Sequence, residues 1–385
     1  MPKVDVRRCR PEDREGFAHV RSMTYRGGRP ISPEDDLLGD GRIGYVASVE
    51  GEVCGAMTVL DMDCTRDGGA VPNGGVCAVG VLPHKRRLGI GSALMSASLR
   101  LMKEDGYACT SLYAYREPFY RQFEYEVCGL EVLVNCPVSR LPKISDPLPV
   151  RQLRQDDLAS IRPCYEQFCK RYSGMNTRKR GAWFPADGGE QPFTVYAAGD
   201  PVEAYMVVRV DPDFWCPQEI RELFWTSLRG YETMLDMIKG LCINKTHAKW
   251  QEPSCSPLYT MHLDEGIVFT VRRPVQYRIL DVAKCLSILR PYEEGQVVIG
   301  VRDRLLEENN GNWRVDFGPE GTSAEATRME ADIELDLRPL TQAWLGEPSI
   351  DDVLHEGLAK LRNPAKLKAI KALFRPCRTY CADIF

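Results

Sequence analysis

The 385-residue chain predicts a mixed α/β (α+β) architecture divided into more than one domain. Three observations carry this prediction. β-rich runs alternate with an amphipathic helix in the first third, the same strand, turn, strand order returns near residue 195, and the last third places strands before helices. Length argues against a single core, since domains cluster at roughly 100–200 residues. A chain that is 44% hydrophobic and 27% charged can bury ordinary cores, which excludes disorder and coiled coil as dominant states.

Each element has a local reason. Residues 43–49 and 53–60 are β-rich and flank Glu50, Gly51 and Glu52, a hairpin signal. Val76 to Leu82 is almost wholly apolar, as a strand buried on both faces should be. After Pro83 the period changes: Ile90, Ala93, Leu94, Ala97 and Leu101 share one helical face, and Gly106 ends the helix. Cys109 to Ala114 is the next strand, followed by a short helix with Pro118 in its first turn. A proline-rich linker spans Pro137 to Pro149. Val195 to Val208 then repeats the strand, acidic-glycine turn, strand logic, and Leu223 to Ser227 and Tyr231 to Ile238 follow as strand and helix. Beyond Tyr277, strands are predicted at 297–301, 313–317 and 331–337, and helices around 341–345, 351–361 and 364–374.

Composition narrows the partners. A net charge of -4 offers no polyanion-binding surplus, so nucleic acid is not expected and a cationic partner is easier to accommodate. No stretch of about 18 apolar residues and no leader pattern occurs, so a soluble, cytoplasmic protein without a membrane partner is expected. The fifteen cysteines lack a CxxC pair and mostly sit in apolar segments, which reads as reduced, buried thiols. The five histidines are scattered, so no metal site is expected.

The chemistry concentrates in Val79 to Ser92, where a buried strand runs into Arg86-x-x-Gly89-x-Gly91 and then a helix. Glycines admit a ligand close to the backbone, and amides at a helix N-terminus receive phosphate oxygens. Arg86 and Arg87 add positive charge. On spacing alone this is a pyrophosphate loop, neither GxGxxG nor GxxxxGK[ST], and a glycine pair at a tight helix start is the plainer alternative.

The run resembles motif A of the Gcn5-related (GNAT) N-acetyltransferases, with Arg86, Gly89 and Gly91 at its fixed positions. The resemblance implies that the strand Val79, Gly80 and Val81 binds the pantetheine arm of acetyl-CoA. It also implies that Arg86, Arg87, Leu88, Gly89, Ile90, Gly91 and Ser92 bind the pyrophosphate. Tyr115 and Arg116 fall at further coenzyme-contacting positions, although they depart from the small or acidic residues common there. Glu117 to Tyr125 is similar to motif B, which makes Tyr120 the candidate general acid, with Tyr125 its rival and a core role open for both. Residues 24–31 fall where an acceptor lid would sit, without assignable roles.

Across the whole chain the pattern resembles the Eis family of bacterial N-acetyltransferases. That implies a catalytic GNAT domain at 1–136, a second, degenerate GNAT-like domain at 147–275 and a sterol-carrier-protein-like domain at 276–385. Leu223 to Tyr231 carries no R-x-x-G-x-G, so no coenzyme is expected in the second copy. The resemblance further implies a homo-hexamer and multi-amine acceptors such as aminoglycosides, polyamines or lysine. It makes the C-terminal carboxylate of Phe385 the candidate base, the alternative being that Phe385 plugs a hydrophobic seam. Asp383 reads equally as a charge in the substrate pocket or as a surface carboxylate. A non-catalytic coenzyme-binding scaffold and a lipid carrier acting through the third domain are the competing functions.

Overall fold

The computed structural model describes residues 2–31, 38–39, 41–178, 193–209, 216–272 and 275–383. The first stretch contains β1 (Asp5–Arg8), α1 (Arg14–Tyr25), β2 (Arg42–Val49), β3 (Glu52–Arg66), β4 (Gly69–Val81), α2 (Ile90–Glu104), β5 (Cys109–Tyr113), α3 (Glu117–Arg121) and β6 (Glu126–Val127). The β2–β3 hairpin closes through Glu50 and Gly51, both at positive φ (52° and 86°), the turn whose twist matches paired strands. α1 and α2 cover opposite faces of this sheet. Phe17 and Val20 of α1 pack with Val46 and Ala56, while Leu94, Leu99 and Met102 of α2 pack with Tyr45, Met57 and Val76.

The second stretch repeats the order with β7 (Glu131–Pro137), β8 (Val150–Gln152), α4 (Arg162–Cys169), β9 (Asn176–Thr177), β10 (Phe193–Ala198), β11 (Ala204–Arg209), β12 (Gln218–Trp225), α5 (Leu228–Leu241), β13 (His247–Glu252), α6 (Pro257–Met261) and β14 (Val268–Arg272). The third contains β15 (Val275–Ile279), α7 (Val282–Ser287), β16 (Gly295–Arg302), β17 (Gly311–Gly318), β18 (Gly321–Thr327), β19 (Ile333–Asp336), α8 (Leu337–Leu345), α9 (Ile350–His355), β20 (Ala359–Leu361) and α10 (Leu367–Leu373).

The sheets cross the sequence boundaries. The first runs β1-β2-β3-β4-β5-β15-β6, with β9 added beside β3, and the second runs β14-β7-β13-β12-β11-β10-β8. β7 therefore sits between β13 and β14, while β15 sits between β5 and β6. β7, at the end of the first expected domain, joins the second sheet, and β15, at the start of the third, joins the first. Expected limits at residues 136 and 275 follow the chain, whereas pairing crosses them, and a strand's local pattern does not name its neighbour. In both copies a single parallel pair, β4 with β5 and β12 with β13, marks the centre.

The third sheet runs β18-β17-β16-β19-β20. Its core joins Val297, Ile299 and Val315 to Trp344, Val353 and Leu373, and continues into Cys64, Cys109 and Ile279 of the first sheet. One predicted helix is shorter than expected: Gly357, at φ 70°, stops α9, and residues 359–361 form an edge strand on β19 instead. All fifteen cysteines are free and most are buried. Among the described residues no helix is long and apolar enough to cross a membrane.

Candidate active site

β4 and β5 pair from Asn73 opposite Cys109 to Val76 opposite Leu112, and no further. Against β3, Thr58 faces Cys77 and Ala56 faces Gly80, so Ala78 and Val79 bulge where β3 has only Met57. Ala78 takes φ 51° to do this. The bulge turns the end of β4 away from β5 and opens a wedge beside α3. Two contacts from α1 fix the turned strand. The Tyr25 hydroxyl donates to the Val79 carbonyl at 2.7 Å, and a Cβ on Gly80 would stand 2.7 Å from Thr24 Oγ1.

The loop from β4 to α2 needs left-handed backbone at Arg87 (φ 64°) and Gly89 (φ 82°). Gly89 caps α2 without a side-chain hydrogen bond. The first-turn amides of α2 consequently have no acceptor within the helix and carry the positive end of its dipole. Arg86 Nε donates to the Val81 carbonyl at 3.3 Å, keeping the arginine beside the loop.

Val79, Gly80, Val81, Arg86, Arg87, Gly89, Ile90, Gly91, Ser92 and Tyr120 line one groove of about 370 Å³, together with Thr24, Lys85 and Phe119. Sequence reasoning gave these last three no role; Thr24 began the stretch expected as an acceptor lid, but it and Tyr25 belong to α1. Phe119 lay inside a recognised motif, whereas Thr24 closes α1 and reaches the groove only through tertiary packing. Leu88 is 42% exposed, Tyr115 is 94% exposed and Arg116 is exposed, and the three lie outside the groove lining. Phe385 lies outside the described residues.

The groove leaves open space beside the start of α2. A Cβ on Gly91 would meet nothing closer than Val81 Cγ2 at 3.6 Å, so the protein's packing does not demand glycine there and the space opens to the groove. The second copy differs at the equivalent helix. Ser227 Oγ accepts from the Gly230 amide at 3.0 Å and donates to Glu203 Oε2 at 2.5 Å, which places a carboxylate near the helix start.

Tyr120 is half-buried, edge-on to Phe119 (5.1 Å) and Tyr125 (6.3 Å). Burial, with Tyr25 nearby, pushes its phenol up to about 12. Its hydroxyl has no hydrogen-bond partner among the described residues, whereas Tyr125 is wholly buried and shares a 3.1 Å hydrogen bond with Thr110. The backbone after α3 is anchored from the third unit. Arg278, fully buried, donates to the Phe123 carbonyl and to Asp303, each at 2.8 Å, and Arg304 pairs with Glu124 at 3.1 Å.

The chain's last described residues return from the third unit to the first two. Thr379 donates its amide to Glu347, and the Tyr380 amide bonds the Ser173 carbonyl. Asp383 is neither exposed nor unpaired: Arg178 holds it at 2.7 Å and Glu222 at 2.7 Å, with its guanidinium over the Tyr165 ring. Among the described residues no cluster of three His, Cys, Asp or Glu could hold a metal ion.

Comparison with known proteins agrees with this geometry. Residues 5–128 match an acetyltransferase (GNAT) domain and residues 282–382 a sterol carrier protein domain. An uncharacterized N-acetyltransferase of Streptomyces avermitilis is 26% identical over 352 residues, 84% of each chain. One of Streptomyces coelicolor is 27% identical over 337 residues, 77% of each. Among solved structures, a GCN5-related N-acetyltransferase from Anabaena variabilis superposes with a TM-score of 0.87 at 17% identity, and Eis1 from Mycobacterium abscessus with 0.79 at 21%. Each match covers 100% of both chains. The bulged, splayed strand and the glycine-started helix thus lie within a domain that matches the GNAT acetyltransferases, a second domain matches the sterol carrier proteins, the two Streptomyces relatives are N-acetyltransferases, and over its full length the chain shares the fold of Eis1.

Proposed function

We propose that the protein transfers acetyl from acetyl-CoA to a primary amine of a multi-amine acceptor (an aminoglycoside, a polyamine or lysine), directly in a ternary complex. The observation that carries this reading is the groove itself, where the splayed strand, the helix amides and the Tyr120 phenol meet. In this reading Arg86, Arg87 and the amides of Gly89 to Ser92 hold the pyrophosphate, and Val79 to Val81 hold the pantetheine arm. Leu88, Tyr115 and Arg116 stand at the rim.

The bound thioester supplies an activated acetyl group. A backbone amide near Val81 donates to the oxygen that gains charge during attack. Tyr120 gives its proton to the departing sulfur. A phenol held near 12 stays protonated at neutral pH and is ready for that role. The terminal carboxylate of Phe385 takes the proton from the attacking ammonium, and a carboxylate there also attracts a cationic acceptor. The reading assigns catalysis to 1–136, acceptor shaping to 147–275 and delivery of the terminus to 276–385, in a cytoplasmic homo-hexamer. Light scattering of the purified chain checks the hexamer.

The test is release of coenzyme thiol from acetyl-CoA with a panel of amines. Tyr120→Phe should lower kcat by about 10²–10⁴-fold with little change in coenzyme affinity. Amidating Phe385 should do likewise. Acetyl-CoA binding without transfer to any amine would favour the scaffold instead, and retention of fatty acid alone would favour the carrier.

A further inference from the structure

Behind the reacting strand, α1 turns Arg21 toward the face of the first sheet that carries Cys77. Its guanidinium lies over the Tyr25 ring, 5.5 Å from the centroid. That same phenol donates to the Val79 carbonyl and neighbours Tyr120. One aromatic ring therefore connects Arg21 to both the strand and the acid that the proposed reaction uses.

Arg21 Nη1 is buried and has no hydrogen-bond partner, and no carboxylate pairs with Arg21 among the described residues. The groups acting most strongly on it are the Cys77 thiol, the Tyr25 phenol and two further cations, Arg26 and Arg42. Burial lowers its pKa from the ordinary guanidinium value, as expected for a cation short of a counter-ion. Farther along the chain's return path the charges are already matched, since Arg178 is taken by Asp383 and Glu222. A buried charged donor without an acceptor is costly, and an anion arriving with the substrate removes that cost. A purely cationic polyamine would bring Arg21 no acceptor and leave that cost in place.

We propose that Arg21 binds an anionic group of the acceptor, a carboxylate, so that the preferred substrate is an amine that also carries a carboxylate, such as an amino acid, rather than a polyamine or aminoglycoside. This rests on the acetyl-transfer reading of the same groove and narrows its substrate class. The amine lies by Tyr120 and the splayed strand while the carboxylate reaches past Tyr25 to Arg21. The guanidinium fork suits a planar carboxylate in two-point contact.

The test compares matched acceptors with the full-length protein and acetyl-CoA: ω-amino acids of two to six carbons, their carboxamides, the corresponding diamines, and 2-aminoethyl phosphate. At the best chain length the carboxylate should exceed its amide and its diamine by about tenfold or more in kcat/KM, and should bind more tightly by calorimetry. Arg21→Gln should collapse the acid-to-amide ratio to within about threefold, while Arg21→Lys keeps part of it. Equal use of acids, amides and diamines at every length, or an unchanged ratio in Arg21→Gln, overturns the proposal. Preference for 2-aminoethyl phosphate overturns the carboxylate assignment. Transfer without preference defeats this inference alone, whereas absence of transfer to every amine defeats the acetyl-transfer reading as well. Because the acid-against-amide binding comparison uses the unmodified protein, a variant that fails to fold does not remove the test.

Discussion

Gly80 and Gly91 line the same groove for different reasons. Gly80 admits α1: Thr24 Oγ1, which a Cβ there would crowd at 2.7 Å, is itself held by the Val20 carbonyl at 2.7 Å and cannot swing away freely. Gly80→Ala should therefore destabilise the fold by about 1–3 kcal/mol, read from chemical denaturation. Gly91 leaves room that the protein does not fill. Gly91→Ala should leave stability unchanged or raise it by up to about 1 kcal/mol, since alanine suits a helix better, while weakening coenzyme binding. Equal losses of stability in both variants would contradict this division. These glycines were legible in the sequence because the motif is contiguous: strand, arginines, glycines and helix follow one another within fourteen residues, Val79 to Ser92. Thr24 and Arg21 were not, because their reach depends on how α1 crosses the sheet.

Elements meet their neighbours through pairings that no local pattern encodes. Residues 131–137 and 275–279, which form β7 and β15, were not read as strands from the sequence, and a strand's local pattern does not name the sheet that receives it. The degeneracy of the second copy was legible as missing glycines. Its physical content is the Ser227 cap and the Glu203 carboxylate near the start of α5. At the end of β13, Glu252 accepts from Tyr231 at 2.7 Å and Trp250 at 2.6 Å, and burial pushes its carboxyl up from 4.5 to about 7. The folded protein thus keeps a proton that the unfolded chain releases. Its contribution is full below about pH 4.5 and is lost as pH rises to about 7, a decline of about 3 kcal/mol at most. Glu252→Gln should flatten stability across that window. Denaturation curves at pH 5 and pH 7.5 that decline equally in wild type and variant would contradict the assignment.

The whole molecule is closed by its own tail. After α10 the chain crosses to Ser173 and ends its described course at Asp383, inside the Arg178 and Glu222 pairing on the second unit. Removing Arg178 leaves two nearly buried carboxylates facing each other, so Arg178→Ala should cost about 3–5 kcal/mol and loosen the terminus with it. Unchanged stability would show that the tail is not stitched there. Three units, the strand β15 and a returning tail all converge on the first sheet, where the groove lies. Acetyl transfer as proposed requires that groove to hold the coenzyme. Calorimetric titration of acetyl-CoA into wild type and Gly91→Glu, with thermal unfolding of both recorded alongside, tests this most directly. The predicted result is one coenzyme bound per wild-type chain and none by an equally stable variant. Undiminished binding to Gly91→Glu, or no binding to wild type, would contradict it.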